Sequence, residues 1–86
     1  MVKILDFYAD WCGPCKVLEP VLEEAIKESG VETEKINVDQ NQDKASKYGV
    51  FSIPTLVFEK DGKEVERLVG LVAKNKILEI LEKHKT

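Results

Sequence analysis

The sequence predicts an α/β fold: one domain over residues 1–86, a four-stranded mixed sheet with helices on both faces, and the element order β-α-β-α-β-β-α. Three observations predict it. Residues 2–8 (VKILDFY) form a nearly continuous apolar run, as expected of a strand covered on both faces. Leu18, Val21, Leu22, Ala25 and Ile26 then recur at the spacing of one helical face. Asp61-Gly62, between two strand-like runs, is the two-residue signature of a hairpin.

The first strand ends where Trp11-Cys12-Gly13-Pro14 breaks the apolar run. The helix that follows can hold Pro14 in its first turn, where a missing N–H is harmless. Pro20 falls inside the helical pattern and is expected to kink it. Gly30 supplies the stop. Residues 31–38 read as a second strand, more polar and therefore expected near an edge. Asn41 is placed to cap a short helix through Tyr48, with Gly49 ending it. Thr55 to Lys60 and Lys63 to Val69 are the hairpin strands. After Gly70, a terminal helix is expected to start between Val72 and Asn75, with Ile77, Leu78, Leu81 and His84 at helical spacing. A helix joins the first two strands, so they should be parallel with a right-handed crossover, whereas the hairpin pair must be antiparallel.

A chain of 86 residues buries only about 60–65% of the surface its unfolded form exposes, so its core must be efficient. A hydrophobic content of 43% is adequate for that. The net charge is −3, and the 12 lysines and 11 glutamates are scattered, which leans toward a thermophile's surface. No basic cluster points to nucleic acid. The apolar start is short, interrupted by Asp6 and followed by no small-residue cleavage site, so it does not read as a signal peptide. No run approaches the roughly 18 apolar residues of a membrane span. A cytoplasmic monomer without nucleic-acid or membrane partners is the expectation.

Two cysteines in such a chain make a poor structural staple. Closing a loop as short as Cys12–Cys15 constrains the unfolded chain by about 2 kcal/mol, against about 4.7 kcal/mol for a 100-residue loop. A zinc site needs two further ligands, and the chain holds one histidine, His84, and no third cysteine. Metal is therefore not expected. Redox chemistry fits the spacing better. Cys12 falls at the junction of strand and helix, where free N–H groups and the helix dipole favour a thiolate. Cys15 lies one turn later, within reach of a mixed disulfide on Cys12. Cys12 is expected to be exposed and to titrate below Cys15. Asp6, an acid in an apolar strand, reads as a proton acceptor for Cys15 or, more blandly, as a polar residue in a frayed strand. Pro54, on base rates alone, reads as an ordinary trans proline.

Trp11-Cys12-Gly13-Pro14-Cys15-Lys16 resembles the active-site signature of the thioredoxin family. Asp6-Phe7-Tyr8-Ala9, Pro20, Lys35-Ile36-Asn37-Val38-Asp39, Tyr48-Gly49-Val50, Ile53-Pro54-Thr55 and Val69-Gly70 lie at similar intervals. The resemblance thus extends over essentially the whole chain. It implies a thioredoxin-like fold in which Cys12 attacks, Cys15 resolves, and Asp6 with Lys35 beside it tunes proton transfer. It implies a cis Pro54, against the base rate, with Ile53 offering its backbone to an extended substrate segment. Trp11, Gly13, Pro14, Ile53, Pro54, Val69 and Gly70 would line an apolar docking surface. It further implies no cofactor beyond the Cys12–Cys15 disulfide, disulfide-containing substrate proteins, and a thioredoxin reductase as partner. The family's usual first strand and helix have no counterpart here, so the length resembles short archaeal members and the second strand is expected at an edge. Tyr8 stands where many members have tryptophan, and is expected to pack.

Three functions follow from this reading. A dithiol carrier that reduces protein disulfides is favoured, because Gly13-Pro14 leans toward the reducing members. An oxidase or isomerase shares the chemistry at a higher potential. A non-catalytic docking module has no need of both cysteines.

Overall fold

A computed structural model describes residues 1–85 of the chain. The elements are β1 (Val2–Tyr8), α1 (Gly13–Ser29), β2 (Glu32–Asn37), α2 (Gln42–Lys47), β3 (Thr55–Lys60), β4 (Lys63–Val69) and α3 (Lys74–Lys83). They form the expected α/β order around one four-stranded sheet, β2-β1-β3-β4. β1 runs parallel to β2 and antiparallel to β3, and the β3–β4 hairpin is antiparallel. The sheet is mixed, and β2 is an edge, as its polarity predicted.

Alternation along the central strands divides the core between two faces. Ile4, Leu56 and Phe58 pack with Leu18, Leu22 and Ala25 of α1 and with Ile77 and Ile80 of α3. Leu5, Phe7, Ile36 and Val57 face the other way, against Ala45 of α2. Helices therefore cover both faces. Asp6 lies two residues beyond Ile4 and so shares its side of the sheet, under α1. That placement determines its environment.

The turns follow their local chemistry. Asp61 and Gly62 both take positive φ (53° and 84°), as the tight primed hairpin turn requires. Gly30 adopts the left-handed conformation and donates to Ile26 O, closing α1. α1 continues through Pro20 as one helix, and the missing N–H leaves the Lys16 carbonyl without its intrahelical donor. Two details depart from expectation. Asn41 precedes α2 but makes no capping bond, because its side-chain amide donates to Asn37 O at 3.0 Å. In α3 the fully buried residues are Ile77 and Ile80, while His84 ends the helix and bonds Glu66 at 3.0 Å.

The β2 edge carries charge rather than apolar surface, a common protection against edge pairing. Lys3 and Lys44 each approach Glu34 to 2.8 Å, joining β1, β2 and α2. No helix among the described residues is long and apolar enough to cross a membrane.

Candidate active site

Cys12 occupies the N-cap of α1 with extended backbone (φ −84°, ψ 109°). Its N–H donates to Ala9 O at 3.2 Å, which fastens the turn after β1. Its sulfur accepts the Cys15 backbone N–H at 3.2 Å. A cap oxygen ordinarily takes that bond; here a sulfur does, and a thiolate is a better acceptor than a thiol. Pro14 lies in the first turn, and no acidic residue there opposes a negative sulfur. The two cysteines form a disulfide with Cα atoms 5.3 Å apart.

Both sulfurs are sheltered in this disulfide state. Cys12 is 3% exposed and Cys15 is 7% exposed, so the expectation of an exposed Cys12 fails for the oxidised form. The reason is packing. Ala9 and the two cysteines form a small cluster closed by Tyr8, Val38 and Ile53. Tyr8 is thus a packing residue, as expected.

Asp6 is 7% exposed. It has no hydrogen bond to another protein group among the described residues, yet neither carboxyl oxygen is sealed from solvent without a partner. Burial pushes its pKa up to about 6; Lys35 pulls it down and Glu19 adds to the rise. Lys35 is the direct cross-strand neighbour of Asp6. Its ammonium also reaches Glu19 at 4.0 Å. Cys15, Lys16, Glu19, Lys35 and Tyr8 help line one cavity of about 400 Å³. Glu19 carries no role in the sequence reading, although its position one turn after Cys15 was a usable signal.

The Ile53–Pro54 peptide is cis, as the resemblance implied and against the base rate. Tertiary context outweighs the average trans preference at this bond. Pro54 itself is fully buried, so it contributes backbone rather than an exposed ring in this state. Its carbonyl accepts the Gly70 N–H at 2.8 Å, drawing the end of β4 against the loop. Gly70 has φ 88°, a conformation that favours glycine. Gly13 and Pro14 are exposed, Ile53 is half-buried, and Val69 and Trp11 are 57% and 70% exposed. Trp11 is held by its indole N–H, which donates to Asp39 at 2.9 Å. Asp39 ends one of the segments that carry the resemblance, but nothing in its spacing indicated this contact. Among the described residues, no cluster of three or more His, Cys, Asp or Glu side chains is arranged to hold a metal.

A cysteine pair that closes into a disulfide at the head of a helix can exchange that disulfide for two thiols, which is the chemistry of a thiol–disulfide oxidoreductase. The comparisons with known proteins specify the family. The thioredoxin family model matches residues 2–83. The chain is 52% identical to the thioredoxin of Bacillus subtilis over 85 residues, covering 96% of this chain and 82% of that one. It is 50% identical to the thioredoxin of Chlamydia caviae, covering 94% and 80%. Among solved structures, a point-mutant thioredoxin from Halobacterium salinarum superposes with a TM-score of 0.93 at 46% identity, covering 99% of this chain and 75% of that one. Fasciola hepatica thioredoxin gives 0.89 at 45%, covering 96% and 80%. The chain belongs to the thioredoxin family. It reduces protein disulfides by dithiol–disulfide exchange through a mixed disulfide.

Proposed function

We propose a division of labour at the site. The Cys12 thiolate attacks one sulfur of a substrate disulfide, forming a Cys12–substrate bond and releasing the other substrate sulfur as a thiolate. Cys15 then gives its proton to Asp6, attacks the Cys12 sulfur and expels the second substrate thiolate. The substrate gains two electrons and the protein closes its disulfide. Lys35 biases Asp6 toward its charged form, and Asp6 passes the proton on to water. No group beyond the dithiol is needed for these steps. The whole chain, 1–86, is read as the single domain that performs them.

Trp11, Gly13, Pro14, Ile53, Pro54, Val69 and Gly70 form the docking surface, with Ile53 offering backbone groups to an extended segment. Disulfide-containing proteins are the substrates. A thioredoxin reductase restores the dithiol, and the cytoplasm is the place of action. The protein acts as a monomer, without nucleic-acid or membrane partners.

The observation that carries this reading is the Cys15 N–H donated to the Cys12 sulfur at 3.2 Å. It stabilises negative charge on Cys12 and offers nothing comparable to Cys15. Alkylation of the reduced protein across pH, read by peptide mass, tests it. Cys12 should be modified first and with the lower apparent pKa. Preferential labelling of Cys15 contradicts the assignment.

A further inference from the structure

Phe51 is 94% exposed, matched among the large apolar side chains by Met1 alone. It belongs to none of the core clusters, so the fold does not require it. The loop that carries it is nevertheless held at many points. Val50 N–H donates to Ala45 O at 2.8 Å, and Gly49 N–H donates to Ser46 O at 2.9 Å. Arg67 Nη2 donates to Tyr48 O at 2.6 Å, and its Nη1 reaches Gly49 O at 3.4 Å. Beyond Phe51, Thr55 Oγ1 donates to Ser52 O at 2.6 Å, and Gly70 N–H fastens Pro54 O. A rigid backbone thus presents an aromatic ring to solvent. That arrangement lowers the entropy lost on binding, as in binding anchors.

The position of the ring specifies its partner. Phe51 lies two positions before Ile53, so their Cα atoms are within about 7 Å of each other. Ile53 packs against the Cys12–Cys15 cluster. A strand-like substrate advances about 3.3 Å per residue, so the ring meets side chains about two or three positions from the attacked cysteine. We propose that Phe51 is a specificity-determining residue that selects protein disulfides flanked by apolar side chains at that distance. This extends the proposed docking surface and rests on that reading.

Two synthetic disulfide-linked peptides test it, identical except for Leu or Glu at the positions two and three residues on either side of the attacked cysteine. Single-turnover reduction is followed by the fluorescence of Trp11, the only tryptophan. The wild type should favour the Leu peptide, and Phe51→Ala should lower that preference about five- to tenfold, through binding rather than through the maximal rate. Phe51→Lys should move the preference toward the Glu peptide. Circular dichroism confirms that each variant is folded, as expected for a fully exposed site. An unchanged preference in Phe51→Ala overturns the proposal. If Val69→Asp lowers the preference and Phe51→Ala does not, the role of Phe51 fails while the docking surface stands. If neither variant changes it, the docking surface fails as well. A dimer that dissolves in Phe51→Ala without altering the preference assigns the ring to a second copy, and likewise overturns the proposal.

Discussion

Replacing Asp6 by Asn removes the one acid that β1 carries into the core. Its pKa rises from 3.8 to about 6, chiefly because burial disfavours the carboxylate. A group whose folded pKa exceeds its unfolded value holds its proton more tightly in the native state. Its contribution to native stability is therefore greatest below pH 3.8 and falls as the pH climbs through about 6. The interval corresponds to about 3 kcal/mol of destabilisation above it. The carboxyl oxygens still reach solvent, so about 3 kcal/mol is a ceiling. Asn cannot ionise and escapes the penalty. Urea unfolding of both disulfide forms should find them similar near pH 3.5, below the unfolded value of 3.8. At pH 8, Asp6→Asn should be more stable by up to about 3 kcal/mol. In a domain of this size each kcal/mol moves Tm by about 4–8 °C, so the gap is easily measured. The other titrating groups are common to both proteins and cancel in the comparison. A gap independent of pH, or an Asn variant less stable at pH 8, refutes the reasoning. The stabilised variant should also resolve mixed disulfides more slowly, because Cys15 has lost its proton acceptor.

The remaining predictions concern contacts around this site and the sheet edge. Asp39→Ala removes the acceptor of the Trp11 indole at 2.9 Å. It should free the ring, lowering tryptophan anisotropy and raising KM for a protein disulfide about two- to fivefold with kcat little changed; unchanged anisotropy contradicts this. Hydrogen bonds from Lys3 and then Lys44 hold Glu34 at a pKa of about 2, below its ordinary 4.5. Its contribution is therefore present above pH 4.5 and lost as the pH falls toward 2. Because these side chains are a third or more exposed, Glu34→Gln should cost no more than about 1 kcal/mol at pH 7, and less in high salt. Denaturation in low and high salt checks both points.

Local chemistry made the hairpin and its strands legible to the residue. Asp61-Gly62 fixes the register of Lys60 and Glu59 against Lys63 and Glu64; the bulge at Phe58/Glu59, which shifts the remaining pairs by one residue, has no signal in the turn. The first strand and helix were legible for a related reason, since each has an apolar pattern of its own period. Side-chain outcomes that depend on a third element were not legible. The burial of Cys12 depends on Val38 and Ile53, which arrive from other parts of the chain. The cis peptide before Pro54 contradicts its own base rate and was accessible only through resemblance. Asn41 had the right residue type for a cap, but Asn37 offered its side chain a competing acceptor. Asp6 stood out as an acid in an apolar strand, Lys35 came only from the resemblance, and strand register brings them side by side. The closeness of Glu19 to Lys35 requires the packing of α1 on the sheet, which no spacing in one segment states.

The central claim is that the two cysteines have different jobs, and trapping tests it most directly. Cys15→Ser and Cys12→Ser, both fully reduced, are mixed with a disulfide-bonded protein under non-reducing conditions. The account predicts a stable mixed disulfide on Cys12 in Cys15→Ser, released by dithiothreitol, and almost none in Cys12→Ser. Adducts that accumulate on Cys15 in Cys12→Ser at an equal or faster rate would contradict it.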